Sequence, residues 1–312
     1  MNKLKKIGLT ALAGTLVAGT VNAAEMTVTG SAGINLTGLD SSENTGNGFT
    51  MGDSLTFSAS GDVNDIGITL SYEIDGLGGA TDNVDDHSIT LDFGDAGTLV
   101  FAGHGGSSAL SARDDVMPTA KEEPWDVVTN ADDDIINGQT QEDMFTYTYA
   151  HDSGFTVVAS YINANAGETA VSYFDYAVEY TGVDGLRLGY AAGTTEITAG
   201  TEIEEDTMFA TYAMGGLTLG LQVSEADSSA ANADLESTGF GVSYQVSDDL
   251  AVSYGNHEID YATNDDQEAY AIGVSYTMGS IGLSGTFNSV DNVSNVNASD
   301  LQSYELGVSF AF

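Results

Sequence analysis

The chain has 312 residues, with 47 Asp and Glu against 6 Lys and Arg, for a formal charge of −41; it has 38 Gly, 2 Pro and no Cys. Nucleic acids are held mainly by Lys and Arg on phosphates, so this polyanion is no nucleic-acid binder, and without cysteine it has neither a disulfide scaffold nor a thiolate metal site. A mean hydropathy of −0.05 would suit a soluble protein, yet the glycine excess with 15 Tyr and 12 Phe favours strands over helices.

At the start, Lys3, Lys5 and Lys6 precede an apolar, Gly- and Ala-rich stretch from Ile7 to Val21, and Val21-Asn22-Ala23 offers small residues before a cut. This is the pattern of a secretory signal peptide over 1–23, cleaved after Ala23. The alternative is a membrane anchor, but glycines and threonines interrupt the stretch, which falls short of the roughly 20 apolar residues a spanning helix needs. Cleavage leaves Arg113, Lys121 and Arg187 as the cations of residues 24–312, against all 47 acids.

From Met26 onward the recurring signal is alternation. Met26, Val28, Gly30, Ala32, Ile34 and Leu36 share one parity, and Thr, Ser, Gly and Asn take the other. That is the period of a strand with one apolar and one polar face. The same dyad returns at 55–60, 66–74, 89–93 and 99–101. After a long break it resumes at 145–149, 155–161, 174–180, 186–190, 208–214, 217–223, 238–244, 250–254, 270–278, 281–287 and 304–312. Five segments before the break and eleven after make sixteen, an even number, as an antiparallel barrel with both chain ends on one side requires.

The connections alternate in length. Short ones at 61–65, 94–97, 151–154, 181–185, 215–216, 247–249 and 279–280 carry the Gly, Asp, Asn and Ser of hairpin turns. Long polar loops are expected around 38–48, 76–86, 104–142, 163–172, 193–206, 224–236, 256–268 and 288–301. A soluble β-propeller or jelly roll also has many short strands, but it would close-pack one face and put Lys, Arg and Pro on edges and turns. Here the polar face of Thr, Ser, Gly, Ala and a few carboxylates suits a water-filled lumen, and Tyr and Phe near strand ends suit membrane-interface girdles. The expected fold class is all-β: a transmembrane antiparallel barrel of sixteen strands over 24–312.

Three stretches carry a family resemblance: Tyr304-Glu305-Leu306-Gly307-Val308-Ser309-Phe310-Ala311-Phe312, Ala24-Glu25-Met26-Thr27-Val28-Thr29-Gly30-Ser31-Ala32, and the long third external loop. The chain resembles the general porins of the Gram-negative outer membrane, of the sixteen-stranded, usually trimeric kind, and looks closest to those of alphaproteobacteria. The resemblance implies a passive diffusion channel for small hydrophilic solutes and ions, with no enzymatic step and no cofactor. It implies a homotrimer set in outer-membrane lipid and lipopolysaccharide, and a final segment, with Tyr304, Phe310 and Phe312, read by the barrel assembly machinery. It also implies that the third loop, 104–142, folds into the lumen and narrows the pore. Porins of this kind usually face that loop with an arginine cluster, which a chain with two arginines cannot supply.

The 104–142 stretch contains Pro118, Pro124, Trp125, two of the three remaining cations and nine acids, and it opens with Gly103-His104-Gly105-Gly106, free to leave the wall sharply. Its apolar residues Leu110, Val116, Met117, Trp125, Val127, Val128, Ile135 and Ile136 need somewhere to pack, and a loop this long carries function or is disordered. Its constriction candidates are Arg113, Asp114, Asp115, Lys121, Glu122, Glu123, Trp125 and Asp126. On the wall the candidates are Glu73, Glu179 and Arg187. If Tyr180 pairs with Leu186, Glu179 faces Arg187 directly, either as a wall salt bridge or leaving Arg187 as a lone cation that sorts solutes.

Asp132, Asp133 and Asp134, followed by Asn137-Gly138, invite a Ca²⁺ reading, but they lack the spaced ligands of a dedicated loop, so no metal is expected. His87, His104, His151 and His257 are expected at rims or turns of four different hairpins. His104 with Ser107 and Ser108 could be fragments of an outer-membrane hydrolase, although no nucleophile elbow accompanies them. The acid surplus predicts cation preference, and the nearest alternative is a substrate-specific sugar porin with an aromatic ladder in its lumen. The first strand lacks aromatics and is small at Gly30 and Ala32, so the first strands and their closure partner, the last strand, are expected at the trimer interface, where bulky substitutions at Gly30 or Ala32 would release folded monomers.

Overall fold

In a computed structural model, residues 25–39, 48–75, 84–132, 135–136, 143–163, 172–198, 201–230, 233–263 and 265–312 are described. The expected signal peptide, Asp133, Asp134, Asn137 and Gly138 lie outside them. Sixteen strands form one closed antiparallel barrel. They are β1 (Glu25–Leu39), β2 (Phe49–Val63), β3 (Ile66–Asp75), β4 (Val84–Asp92), β5 (Thr98–His104), β6 (Met144–Ala150), β7 (Phe155–Ile162) and β8 (Tyr173–Tyr180). The second half comprises β9 (Leu186–Thr198), β10 (Thr201–Met214), β11 (Leu217–Ser228), β12 (Leu235–Ser247), β13 (Leu250–Tyr261), β14 (Gln267–Met278), β15 (Ile281–Asp291) and β16 (Leu301–Ala311). Each strand pairs with its sequence neighbours, and β1 pairs with β16 to close the ring.

Parity decides which side each residue takes. The apolar parity is exposed around the ring, as at Phe145, Phe174, Met208, Ile272 and Leu306, which is the outward face of a barrel solvated by lipid. Hairpins are turned by left-handed backbone where the sequence supplies glycine or Asn-Asp: Asn64 and Asp65 have φ of 52° and 65°, and Gly154, Gly185, Gly215 and Gly279 are also positive. Their backbone twist matches the strands they join.

Four expectations change. The loops at 193–206, 224–236 and 256–268 are mostly strand, because β9 to β14 keep their hydrogen-bond ladders past the apolar band, whereas 288–301 is mainly a loop between Asp291 and Leu301. There Glu202, Glu204 and Glu258 take the outward parity and hide the dyad. The β8–β9 register is shifted by two: Tyr180 pairs with Leu188 and Glu179 with Gly189, because the turn through Gly185 takes up more chain than assumed. The histidines do not occupy four hairpins, since His87 and His104 are partners across β4 and β5, and His257 is buried rather than at a rim. At Gly30, an added Cβ would meet the Phe312 ring at 2.9 Å and Leu55 at 2.8 Å in the same chain. Bulk there must first displace these two side chains within the protomer, so a loss of trimer on its own would not locate the interface at Gly30.

Candidate functional site

The chain leaves β5 through Gly105, with φ of 70°, and the segment that follows is tied to side chains on the polar parity of the wall. The N–H groups of Ala109 and Leu110 donate to the Asp175 carboxylate at 3.2 and 2.8 Å, and Ala109 N–H also reaches Ser160 Oγ at 2.8 Å. Asp175 is fully buried and takes a further bond from the Tyr173 hydroxyl at 3.1 Å. Gln222 grips the next turn: its amide donates to the carbonyls of Arg113 and Asp114 at 2.9 and 2.8 Å, while its Oε1 accepts Val116 N–H at 3.1 Å.

Further on, Ser253 Oγ accepts Ala120 N–H at 2.8 Å and Asn288 donates to the Glu123 carbonyl at 2.5 Å. Gln267 brackets Asp132, accepting its N–H at 2.9 Å and donating to its carbonyl at 2.7 Å. A buried carboxylate or amide so placed satisfies backbone groups that no ladder serves. The apolar anchors also find partners. Leu110, Ile135 and Ile136 pack with Ala177, Ala191 and Ile259, and Val128 packs with Ala269 and Val290. Trp125 lies on His257 with ring centroids 4.3 Å apart.

Every cation after residue 24 is ion-paired. Glu179 sits between two guanidiniums, with Arg113 Nη2 at 2.6 Å and Arg187 Nε at 2.8 Å. The diagonal Glu179–Arg187 bond is bidentate despite the shifted register, its second contact being 3.1 Å, and Arg187 also lies 4.7 Å over the Phe209 ring. Lys121 binds Glu122 and, across to β16, Glu305 at 3.3 Å. Arg187 is thus a wall salt bridge shared with the segment.

Three acids of the segment gather at one place. Carboxylate oxygens of Glu122, Glu123 and Asp126 lie within 4.8 Å of one another, and Asp126 Oδ2 accepts Glu123 N–H at 3.0 Å. Burial, bonding to Asp126 and the charge of Asp115 push the Glu123 carboxyl up to about 9, and burial also raises Asp115. Glu123 therefore holds a proton at neutral pH. These three side chains have the oxygen donors a hard cation takes; Asp132 is instead engaged by the Tyr261 hydroxyl.

The wall that runs from β14 through β16 and β1 to β3 is different. A cavity of about 570 Å³ is bordered by Ser31, Asn35, Ser54, Glu73 and Asp75, with Lys121 at its edge. Glu73 is thus set apart from Glu179 and Arg187, and Tyr304, Phe310 and Phe312 are exposed on the apolar parity. Sequence reasoning missed Asp175, Gln222, Asn288 and Gln267. Their signal was present, as long or charged polar side chains on a parity otherwise built of Ser, Thr, Gly and Ala.

A sequence family described as Gram-negative porin matches residues 8–312. Among solved structures, the chain is similar to OmpT, an outer membrane protein of Vibrio cholerae in trimer form, at 14% identity over 93% of this chain and 100% of that one, with a TM-score of 0.72. It is similar to an anion-selective porin from Comamonas acidovorans, at 15% identity over 93% and 100% with a TM-score of 0.69. A mutant of the Rh. blastica porin gives 15% over 92% and 100%, with a TM-score of 0.67. No curated protein sequence matches.

Proposed function

The chain belongs to the Gram-negative porin family, and we propose that its barrel is a cation-preferring passive diffusion channel of the outer membrane, narrowed from inside by the 104–142 segment and with no catalytic step. The observation that carries this reading is the charge around the cavity. Its wall presents Glu73 and Asp75, and the one cation at its border, Lys121, already binds Glu122 and Glu305. Carboxylates in a cleft with low-dielectric walls focus a negative potential that raises the local concentration of cations. The tie of the segment to Asp175, Gln222 and Asn288, all on the parity opposite the exposed apolar one, supports placing it in the lumen.

Two alternatives have less support. A sugar ladder wants exposed lumen aromatics, whereas Tyr173, Phe209 and Trp125 are buried. A hydrolase wants a free serine, whereas the Ser108 hydroxyl bonds Ser111. Export by the cleaved 1–23 signal, insertion through the assembly machinery by way of Tyr304, Phe310 and Phe312, and a homotrimer in lipid and lipopolysaccharide complete the proposal. The test is the reversal potential of purified protein in a planar bilayer under a KCl gradient. Potassium is expected to be favoured; a potential favouring chloride overturns the selectivity.

A further inference from the structure

Where the segment crosses β11 to β14, the wall beneath it is glycine. Gly220, Gly241 and Gly255 are register partners on three successive strands. Gly273 follows beside Ser253 on β14, and Gly239 lies one dyad from Gly241. All five have the polar parity. A Cβ on Gly220 would run into the Pro118 ring, and one on Gly241 would meet Pro118 Cδ at 2.8 Å and Met117 Cβ at 3.1 Å. At Gly239 it would meet Met117 Cγ at 3.3 Å and at Gly255 Pro124 Cγ at 3.1 Å, and at Gly273 it would meet Ser253 Oγ, the acceptor of Ala120 N–H, at 2.7 Å before the Lys121 backbone nitrogen at 3.3 Å. Gly52 and Gly61, on β2, have nothing within 4 Å.

Glycine weakens a strand, and a run of it across adjacent strands marks close approach of another backbone. We infer that Gly220, Gly241, Gly255 and Gly273 are positioning residues that set the bore of the channel. They let the Met117–Pro124 stretch lie one side-chain layer nearer the wall than Ser or Val would allow. Because Asp175 and Gln222 hold the segment on one side of this bed and Asn288 and Gln267 on the other, added bulk cannot slide it along the wall. It moves toward the cavity that Lys121 borders. The inference rests on the reading that the segment narrows the channel.

Single-channel conductance of the full chain in planar bilayers tests it. Gly241→Ala is expected to lower conductance and Gly241→Val to lower it further, while Gly241→Ala combined with Pro118→Gly restores it. The same series is run in a barrel whose residues 116–126 are replaced by a short Gly-Ser linker. That replacement alone is expected to raise conductance, and Gly241→Val is then expected to change it little. If the linker leaves conductance unchanged, the narrowing itself is wrong and the inference falls with it. If the linker raises conductance but Gly241→Val is silent in the full chain, or acts equally in both backgrounds, the glycine role is overturned and the channel reading stands. Should Gly241→Val fail to insert, Gly255→Ala and its reversal by Pro124→Ala decide the matter, a loss without reversal counting against the inference.

Discussion

On the polar parity of β8, β11, β14 and β15 the segment covers Asp175, Gln222, Gln267 and Asn288, each 5% exposed or less; along β1 to β3, joined by Ser275 and Ser284 farther along β14 and β15, the same parity carries Ser31, Asn35, Ser54, Glu73 and Asp75 beside open space. Both sectors obey one alternation, yet their chemistry is held to different standards. On the covered wall each polar group must be matched, because a buried unpaired donor or acceptor costs about 1–3 kcal/mol. On the open wall, solvent can serve any group the protein does not. One wall positions the segment, and the other is the one that, on the proposed channel reading, meets the solute.

The largest expected effect lies on the covered wall. Asp175→Ala leaves the N–H of Leu110 without its acceptor, at about 1–3 kcal/mol, and Ala109 N–H with Ser160 Oγ alone; it should lower the thermal unfolding temperature in detergent and make single-channel current noisy. Ser54→Ala, which removes only the exposed Ser31 bond, should stay within about 0.5 kcal/mol. Equal losses for the two would break the contrast between the walls. A smaller effect, on selectivity rather than stability, belongs to the open wall. Glu73→Lys with Asp75→Lys should move the reversal potential toward chloride while the unfolding temperature holds; an unchanged permeability ratio would mean that these carboxylates do not meet the permeant ion.

The smallest effect is expected from pH. Glu123 is raised in the folded protein, to about 9 from the usual 4.5, so the folded state keeps a proton that the unfolded chain gives up. Its stabilising contribution is full below the unfolded value and is lost as pH rises through about 9. Conductance noise should therefore grow on going from neutral to alkaline solution, and Glu123→Gln should flatten that rise. A pH profile identical in the variant would remove Glu123 from the seat of the segment.

The strands and their parity were legible in the sequence because lipid enforces period two on every crossing. Sixteen dyads were enough to count the barrel. Strand length was less legible: beyond the apolar band, Glu204 and Glu258 face outward, so the period persists in the backbone and vanishes from the hydropathy. The Glu179–Arg187 partnership was legible from parity alone, but its register was not, since a two-residue change in a turn preserves parity. The segment was recognisable by its prolines, Trp125 and acids. Its seat was hidden because Gly220, Gly241 and Gly255 look, in sequence, like any small residue lining water. Only the third dimension shows that Pro118 and Pro124 occupy the space their side chains would have filled.

The β1–β16 seam also bears on how the barrel is made. Ala32 pairs with Phe310, and Gly30 exchanges two backbone hydrogen bonds with Phe312 at 2.9 and 3.0 Å, so the contact that closes the ring joins residues nearly the whole chain apart. Every other strand pair joins consecutive strands, and only β5 and β6 are separated by a long segment. Such a topology zips quickly along neighbours and waits for one long-range step, whose loop-closure entropy must be met before its bonds form. Until then the sheet has two open edges, each a row of unpaired donors and acceptors ready to pair with another molecule. Because Lys121 reaches Glu305 on β16 itself, the closing strand completes the ring and the seat of the segment together, so slow closure would expose this chain to edge-to-edge aggregation and to a misplaced segment at the same moment.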